Sequence, residues 1–185
     1  MGFIAPYAWG LASNRKIKYR RDKRFIMKNE IAEKVKKWLV DEGIYKDKLV
    51  DDAATHHFLV EMPPNSRQFI DVIFPKNRED MVIIASGLKL SDKHYKSLMS
   101  LSEDKRNEIL WEIRFRLLFV ETGFRIMPSL SDPQLFQFTR ELYFDGLNKN
   151  MFMDALKQVH KCKLFIIWLM EKISGASGDI QPMYI

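Results

Sequence analysis

THHFLVEMPPNSRQFIDVIFPKNREDMVIIASGLKL, residues 55–90, reads as three successive strands joined by two tight turns. Pro63, Pro64 and Asn65 punctuate the first join and Lys76, Asn77 and Arg78 the second, while the flanking segments are rich in Val, Ile and Phe. Connections this short make neighbouring strands antiparallel. In the middle strand Gln68, Ile70, Val72 and Phe74 share one side, and Arg67, Phe69, Asp71 and Ile73 share the other. One side is apolar and the other mixed, the pattern of a half-buried strand. The third strand, from Met81 to Leu88, is apolar on both parities and is expected in the sheet interior, covered on both faces. Such a sheet needs helices against it.

The chain on either side supplies them. Asn29 is placed to cap a first helix in which Ile31, Val35, Trp38 and Leu39 form one stripe and Gly43 is the stop. Residues 44–54, with Lys46, Asp47, Asp51 and Asp52, read as a charged connection. Beyond the meander, Ser91 starts a short helix, and Ser102 caps a longer one whose buried side is marked by Ile109, Leu110, Ile113, Leu117 and Val120. A two-strand hairpin follows, with Phe124, Ile126 and Leu130 on one side of its first strand and Phe136, Phe138, Leu142 and Phe144 on one side of its second. Asn148 opens a long last helix. The expected fold is α+β: helix, three-strand antiparallel meander, helical pair, two-strand hairpin and C-terminal helix, making a five-stranded layer under helices.

At 185 residues the chain buries roughly 70% of its extended surface as one domain, so it needs no disulfide or metal to hold it. Its single cysteine, Cys162, rules out an internal disulfide and any multi-cysteine zinc site. That fits a reducing, cytoplasmic setting. The net charge of +6 lies entirely in residues 1–26, where Arg15, Lys16, Lys18, Arg20, Arg21, Lys23 and Arg24 face one anion, Asp22. The remaining residues carry 23 cations and 23 anions. Residues 1–26 are therefore read as a basic arm, able to meet phosphates non-specifically, or as an extension ahead of a start at Met27. Residues 27–174 are read as a single α+β domain and 175–185 as a tail.

No nucleophile elbow, phosphate loop or dinucleotide fingerprint occurs. His56 and His57 are adjacent on a strand, so their side chains point to opposite faces. His57 shares a face with Glu61, and Asp71 lies on the next strand; a metal-dependent or acid-base site would have to be built there, against the plainer reading of an ordinary polar sheet face. His160 and Cys162 are two apart on a helix, about 200° round it, which defeats joint ligation. His160 is expected on the surface and Cys162 as a buried, inert thiol. Glu108, Glu112 and Arg116 give the long middle helix a salt-bridged outer face, which argues against nucleic-acid binding there. The run Leu164–Met170 surrounds the last helix with apolar groups, which makes Phe165, Ile167, Trp168 and Leu169 the candidate interface.

The element order is similar to that of type III secretion chaperones, which pack helices on a twisted, mainly antiparallel sheet and commonly dimerise. The segments KVKKWLVDEG (34–43), HHFLVEM (56–62), GLKLSDKHYKSLMSLSEDKR (87–106) and GFRIMPSLSDPQLFQFTRELYFDGL (123–147) also resemble an uncharacterised archaeal family assigned to that fold. The resemblance spans about residues 28–174 and implies a type III secretion chaperone-like fold and protein binding, with no activity or cofactor to carry over. The expectation is a non-enzymatic, protein-binding module that forms a homodimer through its sheet edge or final helix. A nucleic-acid-associated protein using the basic arm is the alternative, and a metal enzyme around His57 the second alternative.

Overall fold

A computed structural model describes residues 26–175 of the chain. Helix α1 occupies 26–41. Strands β1 (Tyr45–Lys48), β2 (Ala54–Glu61), β3 (Phe69–Pro75) and β4 (Met81–Lys89) follow. Then come helices α2 (Asp92–Met99) and α3 (Glu103–Leu118), strands β5 (Gly123–Pro128) and β6 (Pro133–Tyr143), and helix α4 (Lys149–Ile173). The six strands form one antiparallel sheet in the order β1-β2-β3-β4-β6-β5. β4 lies inside it, between β3 and β6.

The sheet has one strand more than the expected five. β1 falls in the expected charged connection: three of its four residues are charged, and in the fold none is buried. It pairs with β2 nevertheless, Tyr45 opposite Val60 and Lys48 opposite Phe58, with a register shift between Tyr45 and Asp47. Only Tyr45 of the four packs against the core, and an edge strand with one neighbour tolerates charge along the rest of its length.

The core takes strand residues of a single parity. Phe58, Val60, Ile70, Val72, Phe74, Val82, Ile84, Phe136, Phe138 and Leu142 belong to one buried cluster with side chains from all four helices. The helices therefore cover one face of the sheet. On the opposite face of β4, Met81 and Ala85 are buried and Ile83 is half-buried, so the first half of that strand is covered on both sides as expected. Each fully buried phenylalanine contributes about 2–3 kcal/mol of hydrophobic stabilisation.

Local signals set the helix ends. Asn29 lies inside α1 rather than capping it, and its side-chain oxygen meets His56 Nε2 at 2.8 Å. α1 stops where Gly43 turns left-handed at φ 68°, with Gly43 N–H donating to the Val40 carbonyl and Ile44 N–H to that of Leu39. A side chain at Gly43 would be strained whatever space it met. Ser91 caps α2 by accepting from His94 N–H, and Asn148 caps α4 by accepting from Met151 N–H. Ser102 precedes α3 without a side-chain cap bond. The Tyr95 hydroxyl donates to Asp132 at 2.7 Å and so ties α2 to the turn of the β5–β6 hairpin.

Candidate functional site

The sheet face left bare by the helices holds the one cluster that sequence reading raised as chemistry. Pairing sets Leu59 opposite Asp71 and His57 opposite Ile73, which brings the His57 ring within reach of the Asp71 carboxylate one step along. His57 Nε2 lies 2.9 Å from Asp71 Oδ1, and its Nδ1 lies 3.1 Å from Oδ2 of Asp51 in the β1–β2 loop. Each contact is a hydrogen bond only when that nitrogen carries its proton, so both made together leave no lone pair for a metal or a substrate proton. Asp51 is held below the ordinary carboxylate range, chiefly by Ala53 N–H and also by His57.

Glu61 does not join this pair. Its Oε2 accepts from Lys46 Nζ on β1 and its Oε1 from Arg67 N–H, both at 2.9 Å, and Lys46 is the larger cause of its lowered pKa. His57 and Asp71 come together while Glu61 points elsewhere. Among the described residues no group of three or more His, Cys, Asp or Glu is arranged to hold a metal ion. Two surface hollows, one at the β3–β4 turn lined by Met27, Arg78 and Asp80 and one by Glu121, Thr139 and Arg140, do not include His57. The partner that sequence reading missed was Asp51: it sits in a loop, where no periodicity shows which way it turns.

On α4, His160 corrects its expectation of surface exposure. It is 4% exposed, and neither ring nitrogen has a hydrogen-bond partner among the described residues. Burial, reinforced by the nearby Lys163 cation, pushes its pKa down to about 4. Cys162 is buried, and burial pushes its thiol up, away from a reactive thiolate. Lys163 is buried too, with Nζ donating to the Phe69 carbonyl at 3.2 Å, and its pKa is lowered by that burial. Of the final-helix residues named as an interface, Trp168 is exposed, while Phe165, Ile167 and Leu169 are half-buried. Leu164, Ile166 and Met170 are buried. The basic residues Arg15, Lys16, Lys18, Arg20, Arg21, Lys23 and Arg24 lie outside the described residues.

The more exposed apolar surface is on α3. Leu110, Ile113 and Leu117 turn inward as expected. Trp111, Phe115, Leu118 and the following Phe119 are 50%, 57%, 67% and 86% exposed. Spacings of four and three residues align the first three in one stripe. The Trp111 and Phe115 rings stack at 5.6 Å, and the Arg114 guanidinium lies 4.5 Å from the Trp111 ring centroid. Arg116 pairs with Glu112 at 2.9 Å, as the i, i+4 spacing predicts. The salt-bridged flank exists, but beside it runs an aromatic one.

Residues 31–170 match the family model DUF2299, described as an uncharacterized conserved protein. The chain belongs to that family. It is similar to an uncharacterized protein from Methanothermobacter thermautotrophicus, whose crystal structure aligns with a TM-score of 0.71 at 31% identity, over 76% of this chain and 96% of that one. The crystal structure of YbjN, a putative transcription regulator from E. coli, aligns with a TM-score of 0.45 at 12% identity, over 74% of this chain and 91% of that one. No curated protein matches. Within this DUF2299 chain, the polar groups that sequence reading raised as chemistry are tied up in hydrogen bonds or sealed in the core, and the unspent surface is aromatic. Among the described residues no helix is long and apolar enough to cross a membrane.

Proposed function

We propose that this DUF2299 protein is a chaperone-like, protein-binding module of the cytoplasm, working by surface contact with a second copy or another protein rather than by a reaction at a pocket. The observation that carries this reading is the exposed stripe of Trp111, Phe115, Leu118 and Phe119. A contiguous apolar patch of that kind generally marks an interaction site, and stacked aromatics supply much contact area for little side-chain entropy. The type III secretion chaperone-like element order agrees with the same use of the fold. His57, with a carboxylate within hydrogen-bond reach of each ring nitrogen, supports a polar sheet face instead of a metal enzyme.

A photo-activatable benzophenone side chain placed at Phe115 of the full chain tests the proposal in cells of the source. Protein adducts at Phe115, absent when the same group replaces Asp47 on β1 at the other edge of the sheet, are expected. Cells in which Phe115 yields no protein adduct above that control would overturn it.

A further inference from the structure

The two outer strands of the sheet are built differently. β1 is four residues long, carries Lys46, Asp47 and Lys48, and is bulged against its neighbour. Charge, brevity and a bulge are the devices that keep an edge from pairing with another chain. β5 has fewer of them: it carries one charge, Arg125, keeps regular register with β6 from Gly123 to Met127, and shifts register only at its last residue, Pro128. Among the described residues no strand pairs with its outer side.

The aromatic stripe leads straight into this strand. Phe119 precedes Gly123 by four residues, which puts it within about 14 Å of the strand start. Arg116, whose guanidinium lies 5.9 Å from the Phe165 ring centroid, marks the flank of α3 that faces α4. Trp111, Phe115 and Leu118 lie about 100–160° further round the helix and so face away from α4. From these placements we infer that a second copy of this chain docks here, β5 pairing antiparallel with β5 across a twofold axis while the α3 stripes and Phe119 pack around the joint. The inference rests on the protein-binding reading above and names its partner and its surface.

An antiparallel edge pair is its own complement under a twofold, so identical chains meet without any further matching of shape. The area is sufficient. With side chains of about 150–250 Å², the four exposed residues offer about 400–650 Å². A standard interface takes about 800 Å² from each partner, and the outer backbone of β5 with its flanking side chains supplies the difference.

Sedimentation equilibrium of the full chain at 1–50 µM (a range of the order that separates stable from weak interfaces) is expected to give twice the chain mass. Phe115→Asp and Phe119→Asp should each weaken the dimer at least about tenfold while the helix and strand content by circular dichroism is held, because both side chains are exposed in the single chain. With Cys162→Ala as background and the twofold at Arg125, the middle of the regular stretch Gly123–Met127, Arg125→Cys should form an interchain disulfide under mild oxidation, since residues across an antiparallel pair lie about 4.5–5.5 Å apart. Lys48→Cys on the other edge should not. A monomer throughout the range overturns the inference, as does a dimer indifferent to both aspartates or one that cross-links through Lys48→Cys. A monomer whose Phe115 position still yields adducts with a different protein removes self-association and leaves the protein-binding reading standing.

Discussion

His160 shows how one side chain sets an acid limit on this fold. Its folded pKa is depressed to about 4 against an ordinary value of 6.5, so above pH 6.5 its contribution is fully favourable. Below that the unfolded chain takes up the proton first, and stability falls until the folded pKa is reached. Between pH 6.5 and 5 the loss through this group is about 2 kcal/mol. Most of the carboxylate losses from Asp51, Glu42 and Glu61 come at lower pH, because those groups begin to protonate appreciably only near their unfolded values. Urea unfolding at pH 7.5 and pH 5 should therefore show a drop in the parent that is smaller by about that amount in His160→Leu, with a remainder from His56, also lowered by burial. Equal drops in the two proteins would show that His160 is solvated. Lys28 is a second buried polar group, this one satisfied: Nζ donates to the Pro75 and Arg78 carbonyls and ties α1 to the β3–β4 turn. Lys28→Met keeps the stem and removes the donor, and should cost about 1–3 kcal/mol in the same unfolding experiment at neutral pH.

At the scale of elements, the helix starts give a test in which three similar side chains should behave differently. Asn148→Ala and Ser91→Ala each remove a made cap bond and should cost about 1 kcal/mol. Ser102→Ala removes none and should leave the thermal midpoint nearly unchanged. The elements legible beforehand were those with a strong period: the meander of β2, β3 and β4, the β5–β6 hairpin, and the buried stripes of α1 and α4. β1 was illegible because three of its four residues are charged, which leaves Tyr45 alone to mark its inner side. α3 was half legible. Leu110, Ile113 and Leu117 gave its inner side, but apolar residues at Trp111, Phe115 and Leu118 on another side leave the helix with no single apolar phase. Which side is solvated is then decided by tertiary packing alone. His160 was misread for a related reason: with Lys161 and Lys163 beside it the segment looks wet, yet Lys163 lays its stem along the core and reaches the Phe69 carbonyl. Of the site proper, the parity of His57 and Asp71 was readable, and the turn of Glu61 toward Lys46 on an unforeseen strand was not.

At the scale of the whole molecule, net charge and the exposed aromatic stripe are separate in sequence. All six units of net positive charge belong to residues 1–26, while the remainder is formally neutral and carries the sheet, the helices and the aromatic stripe. Non-specific attraction to nucleic acid follows local cation density, so any such attraction is expected from the arm rather than from α3, where Glu112 partners Arg116. Filter binding of a random DNA duplex should therefore be measurable for the full chain at low salt. The seven arm cations limit the dependence of log K on log salt to a slope no steeper than about −6. The chain lacking residues 1–26 should bind no duplex under the same conditions while keeping its helix and strand content by circular dichroism. Retained duplex binding after that deletion would move the phosphate-binding surface onto the folded body, and Arg114 beside Trp111 would be the first place to look. Because the arm cations and the α3 stripe are separate in sequence, the deletion should leave Phe115 adducts unchanged, which makes the two binding properties independently measurable in one pair of proteins.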